Sequence, residues 1–165
     1  MLPLGESMTP LKQQYDVIFN TSMATIGLKF TGSSLSRVAY LSKPAEKLAQ
    51  TELAKKVKGK IEKYLESKEK SITVEMTLDV TPFQLRVLDQ LQKIPYGETR
   101  SYGDIAKILK TSPRAVGNAC RNNPLPIIIP CHRVVAANGI GGYDGATQGE
   151  TLDIKYYLLR LEGAV

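Results

Sequence analysis

Tryptophan is absent from this chain of 165 residues, histidine occurs once and cysteine twice. Two cysteines are too few for a disulfide framework, which needs about four or more. Two cysteines and one histidine also cannot complete a four-ligand zinc site without a carboxylate, so no metal is expected, and no cofactor motif is present. No stretch reaches the roughly eighteen uninterrupted apolar residues of a membrane helix. The opening residues, MLPLGESMTP, carry neither the basic n-region nor the apolar h-region of a secretory signal. They read as a loose tail, and the expected compartment is the reducing cytoplasm, where both cysteines stay thiols.

What is present is a mild excess of positive charge, +6 overall. Much of it lies between residues 93 and 133, where Lys93, Arg100, Lys107, Lys110, Arg114, Arg121 and Arg133 face only Glu98 and Asp104. Such a local surplus suits a polyanion, and a solvated face is the alternative.

The character of the chain changes near residue 80. Before it, QYDVIFN, MATIGLKF and SRVAYL are β-branched and aromatic runs split by Asn20-Thr21 and Thr31-Gly32-Ser33. They read as an antiparallel meander. A helix or helix pair over residues 44–67 comes next, with Leu48, Leu53, Val57, Ile61, Tyr64 and Leu65 at roughly helical spacing and Gly59 as a candidate interruption. SITVEMTLDV reads as a strand or an extended linker. The division expected is a strand-rich α/β scaffold over 1–80 and a mainly helical unit over 81–165.

Thr81-Pro82 is a strong helix start, an N-cap followed by proline at the first helical position. Phe83, Val87, Leu88, Leu91 and Ile94 make an apolar stripe that ends at Pro95-Tyr96-Gly97. SYGDIAKIL reads as a short helix with Ile105, Ile108 and Leu109 inward. After a three-residue turn, PRAVGNACRNN reads as another helix, capped by Ser112 with Pro113 at its first position. Two short helices so joined suggest helix-turn-helix. The second is slim, with Ala115, Gly117, Ala119 and Cys120 all small, whereas base-reading helices carry long polar side chains. A slim helix brings its backbone close to a narrow or shallow groove, or simply packs tightly. Arg114 is its one long cation in the first turn.

In RNNPLPIIIPCHRVV, residues 121–135, three prolines forbid helix, and Ile127, Ile128 and Ile129 read as a short buried strand. Cys131 then leaves the core beside His132, the only histidine. A thiolate is the nucleophile, and an imidazole draws off the thiol proton, directly or through one water, when a carboxylate orients its other nitrogen. Neighbours on an extended segment point to opposite sides, so a water bridge is the expected geometry. The alternative is a packed core thiol, the reading given to Cys120 beside Val116. RVVAANGIGGY reads as a strand, an Asn138-Gly139 turn and a loop whose Gly141-Gly142 allows close backbone approach. ETLDIKYYLLRLEG reads as a closing helix with Leu152, Tyr156, Leu158 and Leu159 inward. Glu162, at its end, is the candidate carboxylate for His132.

Taken together, FQLRVLDQLQKIPYGETRSYGDIA, SPRAVGNACRNNP and IPCHRVV resemble the O6-alkylguanine-DNA alkyltransferases over about residues 81–165. The resemblance implies an α/β protein, with a small α/β N-terminal domain and a mainly helical C-terminal one bearing a winged-helix-like helix-turn-helix. It implies direct-reversal DNA repair in which Cys131 irreversibly takes the alkyl group from O6-alkylguanine, with O4-alkylthymine a second candidate. His132, through a water, would take the thiol proton and Glu162 would orient it. Tyr102 would assist the departing guanine and Asn123 would brace the active-site turn. Double-stranded DNA would be bound in the minor groove by a monomer, through Arg114, Ala115, Gly117, Asn118 and Arg121, with Arg114 filling the stack of a flipped-out base. The pocket would be formed by Pro126, Val134, Tyr143, Asp144 and Gly145. Some members hold a zinc through N-terminal Cys and His residues, which are lacking here. The competing reading is a non-catalytic protein that binds alkylated bases and recruits other repair factors; relatives of that kind carry Trp in place of the cysteine.

Overall fold

β-Branched and aromatic runs near the start build one antiparallel sheet in the computed structural model, which describes residues 10–141 and 150–165. A single helical turn, α1 (Leu11–Gln14), precedes β1 (Val17–Asn20), β2 (Thr25–Thr31) and β3 (Ser34–Leu41), which pair in the order β1-β2-β3. Val17 stands opposite Leu28 and Ile26 opposite Tyr40, with a register shift between Lys29 and Phe30. Val17, Ile18 and Phe19 are all buried, so β1 is covered on both faces.

The free edge of β1 captures the segment after the sheet. Ile18 exchanges two backbone hydrogen bonds with Lys47, at 3.0 and 2.9 Å. That pairing needs extended backbone, so the helix expected from Pro44 does not start there, and Leu48 is 66% exposed rather than inward. The helix, α2 (Glu52–Leu65), begins where Thr51 caps the Ala54 amide at 3.1 Å. It buries Ala54, Val57, Ile61 and Tyr64, a three- and four-residue spacing that forms one face. Gly59 does not interrupt it and looks onto open space. Residues 71–80 run extended, with a single parallel bridge from Met76 to Leu35.

In the second half the caps work as their residues predict. Thr81 and Gln84 form a reciprocal capping box for α3 (Pro82–Leu91). The strand β4 (Arg100–Ser101) leads into α4 (Tyr102–Leu109), boxed by Ser101 and Asp104. Lys110 ends α4 in the left-handed conformation, φ 55°, and Ser112 caps α5 (Pro113–Arg121), which completes the helix-turn-helix. Ile105, Ala106 and Leu109 are the inward side of α4; Ile108 is 60% exposed, one residue off the expected stripe. β5 (Val134–Val135) pairs in parallel with β4. The turn after it spans Ala137 and Asn138, one residue earlier than expected, with Ala136 bridging to Gly139. The last helix, α6 (Glu150–Leu161), buries Ile154, Lys155, Leu158 and Leu159, while Tyr156 faces outward.

The apolar core is continuous across both halves: Leu28 and Ile61 belong to the same cluster as Leu88, Leu125 and Leu158. Each such fully buried side chain stabilises the fold by about 1.5–3 kcal/mol relative to exposure. Among the described residues no helix is long and apolar enough to cross a membrane.

Candidate active site

The segment leading to Cys131 is a chain of turns rather than the strand its isoleucines suggest. Proline removes backbone donors at 124, 126 and 130, so no ladder can form through it. Asn123 supplies the missing partners. Its amide nitrogen donates to the Ile129 carbonyl and its oxygen accepts from the Leu125 amide, both at 2.9 Å. Between these anchors Ile127 adopts φ 73°, a conformation that costs a β-branched residue on the order of 1–3 kcal/mol and persists only where its surroundings impose it. The Cys131 amide closes the segment by donating to the Ile129 carbonyl at 2.8 Å.

Cys131–Arg133 then form one turn of 3-10 helix, not the extended backbone expected. His132 is fully buried, and its Nε2 lies 2.8 Å from Glu162 Oε2. Glu162 stands just beyond α6 and collects further donors. Arg133 grips it with Nε on Oε1 at 2.8 Å and Nη2 on Oε2 at 2.9 Å, while its Nη1 donates to the Ile94 carbonyl at 2.7 Å. The Gly97 amide lies 3.4 Å from Oε1, and the Tyr64 hydroxyl donates to Oε2. Gly97 has φ 82°, and a Cβ there would sit 3.1 Å from the Glu162 carbonyl, so glycine permits the approach.

Burial alone would push the Glu162 carboxyl up, but the hydrogen bonds from His132, Arg133 and Tyr64 hold it well below the usual carboxylate range. An ionised carboxylate only accepts, so Nε2 of His132 carries the proton and Nδ1 presents its lone pair. Nδ1 is buried and has no hydrogen-bond partner among the described residues. Burial lowers the imidazole's affinity for a second proton more than Glu162 raises it, so His132 is neutral and free to act as a base.

Cys131 is 5% exposed and Cys120 8%, and neither forms a disulfide. Burial raises the Cys120 thiol far above its ordinary range, as a structural cysteine requires. A group absent from the residues singled out by sequence interacts electrostatically with both thiols. Lys155 is fully buried, donates to the Val134 carbonyl at 2.7 Å and lies 5.7 Å from the Tyr102 ring centre. Burial pulls its ammonium down to about 8, with the two thiols acting in the opposite direction. Its signal was available: residues 155, 158, 159 and 162 share one helical face, so a lysine stood in an inward stripe. Tyr102 opens α4 and is half-buried, and burial, then the two thiols, keeps its hydroxyl protonated. Gly141, φ 76°, brings backbone against it; a Cβ there would lie 3.0 Å from Tyr102 Cε2.

On α5, Arg114, Asn118 and Arg121 are exposed along one arc, Ala115 and Gly117 are half-buried, and Val116, Ala119 and Cys120 face the core. Two of the cations counted toward a basic surface are engaged elsewhere: Arg133 grips Glu162, and Arg100 pairs with Glu98 at 3.2 Å. Pro126 and Val134 are buried, on the approach to and just after Cys131. Tyr143, Asp144 and Gly145 lie outside the described residues. Among the described residues no group of three or more His, Cys, Asp or Glu could hold a metal.

Residues 82–164 match the family model described as 6-O-methylguanine DNA methyltransferase, DNA binding domain. The chain belongs to that family. It is similar to the methylated-DNA–protein-cysteine methyltransferase of Archaeoglobus fulgidus, 47% identical over 104 residues, which are 62% of this chain and 71% of the relative. The protein of the same name from Methanocaldococcus vulcanius is 53% identical over 89 residues, 54% of this chain and 52% of that one. The crystal structure of the Mycobacterium tuberculosis O6-methylguanine methyltransferase superposes with a TM-score of 0.76 at 32% identity, covering 89% of this chain and 91% of that one. The Mycobacterium tuberculosis protein has also been solved in complex with DNA, with a TM-score of 0.75 against this chain. This O6-methylguanine DNA methyltransferase family member is thus an α/β protein with the family's DNA binding domain, placed among the repair proteins that act by alkyl transfer.

Proposed function

We propose that Cys131 accepts the alkyl group of O6-alkylguanine in DNA. The observation that carries this reading is the buried pair of His132 and Glu162 next to Cys131, with the imidazole Nδ1 left as an available base. The Cys131 proton passes to Nδ1, directly or through one water, and the resulting imidazolium is balanced by ionised Glu162. The sulfur attacks the alkyl carbon, the S–C bond forms and the C–O6 bond breaks. The guanine leaves with the bonding pair and takes a hydrogen bond or a proton from Tyr102. A thioether is stable to water, so each molecule acts once in this reading.

The buried sulfur meets only a base brought into the protein, not one stacked in a duplex. Turning the nucleotide out costs roughly a few kcal/mol. The exposed arc of Arg114, Asn118 and Arg121, with slim Ala115 and Gly117 alongside, is the proposed minor-groove contact, and Arg114 the residue that fills the stack. Asn123 fixes the turn that carries Cys131. Pro126, Val134, Tyr143, Asp144 and Gly145 are the proposed pocket. The proposed division of labour is a scaffold over 1–80 and a DNA-binding, alkyl-accepting unit over 81–165, supported by the family match beginning at residue 82. The protein acts as a cytoplasmic monomer in this reading.

The test is a mass measurement after incubation with a duplex holding one O6-methylguanine. The expected result is a gain of one methyl group on the Cys131 peptide, stoichiometric with protein, and none in Cys131→Ala. Repeated turnover would point to a hydrolase. Binding without mass gain would point to a recruiter of other repair factors.

A further inference from the structure

Among the described residues the donors that hold Glu162 come from residues 97–133 with one exception. Tyr64 belongs to the last turn of α2, in the half of the chain that the family's DNA binding domain leaves out. It is 2% exposed, and its ring meets Tyr96 edge-on, with centres 6.1 Å apart. Its hydroxyl donates to Glu162 Oε2 and lies 3.5 Å from His132 Nε2. Oε2 is also the oxygen that holds His132. One carboxylate oxygen is therefore shared between the imidazole, the Arg133 guanidinium and a phenol supplied from the other half of the molecule.

We infer that Tyr64 is a positioning residue, whose hydroxyl clamps the Glu162 oxygen that orients His132 and so lets the scaffold half set the strength of the base beside Cys131. Burial, and then Glu162 itself, keep the phenol protonated, so it donates throughout the working pH range. A carboxylate oxygen that accepts from Tyr64 has less electron density to offer the imidazole. Removing the hydroxyl concentrates that density on the bond to His132 and makes the imidazole easier to protonate. The charged groups facing His132 are Glu162, Arg133 and Lys155, and a change at Tyr64 removes none of them. The bidentate Arg133 keeps Glu162 ionised without Tyr64, so the base survives but titrates at higher pH.

This inference rests on the function proposed above, and its test separates the two. His132 is the only histidine, so its ring signals in an NMR titration need no assignment by mutation. In Tyr64→Phe, which keeps the ring and loses only the hydroxyl, the His132 titration is expected to move up by about 0.5 pH unit or more. The acid limb of the alkyl-transfer rate on O6-methylguanine duplex should move up by the same amount. An unmoved or downward-moved titration overturns the inference, as does a rate loss that is equal at every pH. Failure of the wild type to gain a methyl group sinks the proposed function, while the titration still reads the effect of Tyr64. Should Tyr64→Phe not fold, the wild type decides: a slowly exchanging hydroxyl proton with a cross-peak to the His132 ring is expected, and its absence overturns the inference.

Discussion

Asn123 takes the place of two backbone partners in the turn before Cys131, bonding the Leu125 amide and the Ile129 carbonyl. Alanine there would strand the buried Leu125 amide, at a cost of about 1–3 kcal/mol, and leave the Ile129 carbonyl held by the Cys131 amide alone. Asn123→Ala is therefore expected to lower the urea midpoint and to slow alkyl transfer about tenfold or more, as the turn holding Ile127 at φ 73° relaxes. A variant with normal stability and rate would remove Asn123 from the site. Acid sensitivity belongs to this scale as well. His132 and Glu162 both bind protons less readily folded than unfolded. Their stabilisation is complete above the ordinary imidazole range and falls as pH drops, first below about 6.5 through His132, then below about 4.5 through Glu162. Melting temperature against pH should show that two-stage decline, and Glu162→Gln should lose the lower stage.

At the scale of elements, the proposed DNA contact of α5 sets exposed Arg114, Asn118 and Arg121 beside small Ala115 and Gly117. Arg114→Ala is expected to slow repair of a duplex about tenfold or more and to spare the reaction with free O6-methylguanine base. Equal losses in both assays would show that Arg114 does not hold the stack open. Gly117 makes the opposite trade. Among the described residues a Cβ there would meet only Tyr102 Cε1, at an ordinary 4.0 Å. Gly117→Ala should thus stabilise the helix by roughly 0.5–1 kcal/mol, read from a urea melt. It should weaken duplex binding, read by fluorescence anisotropy, if the helix backbone lies against the groove.

At the scale of the whole molecule, the halves share one apolar core. The Val38 amide donates to the Pro124 carbonyl at 3.0 Å, and Tyr64 reaches Glu162. The full chain is expected to unfold in one transition, with circular dichroism and tyrosine fluorescence coincident. A fragment starting at Thr81 should melt at markedly lower urea, because Leu88, Leu125 and Leu158 lose apolar partners across the core. Two separated transitions in the full chain would refute the shared core.

The sequence by itself determined whatever depends on near neighbours. Thr81, Ser101 and Ser112 cap helices because their side chains reach amides three residues on. The hairpin runs pair because short turns leave them no other partner nearby, and the Pro-Cys-His-Arg stretch exposed the chemistry. Glu162 was legible as a candidate partner for His132 because the closing helix carries a carboxylate at its end. Tertiary structure decided what depends on distant groups competing for the same atoms. Leu48 faces water because β1 captured the backbone of Lys47. Arg133 left the basic surface because a buried carboxylate binds a guanidinium fork more strongly than solvent does. The isoleucine triplet became turns because its prolines forbid a ladder and Asn123 offered partners in its place. Lys155 and Tyr64 are ordinary helix residues by composition. The stripe of α6 marked Lys155 as inward, but only the packing of α2 and α6 set Tyr64 against Glu162 and the Lys155 ammonium against the Val134 carbonyl.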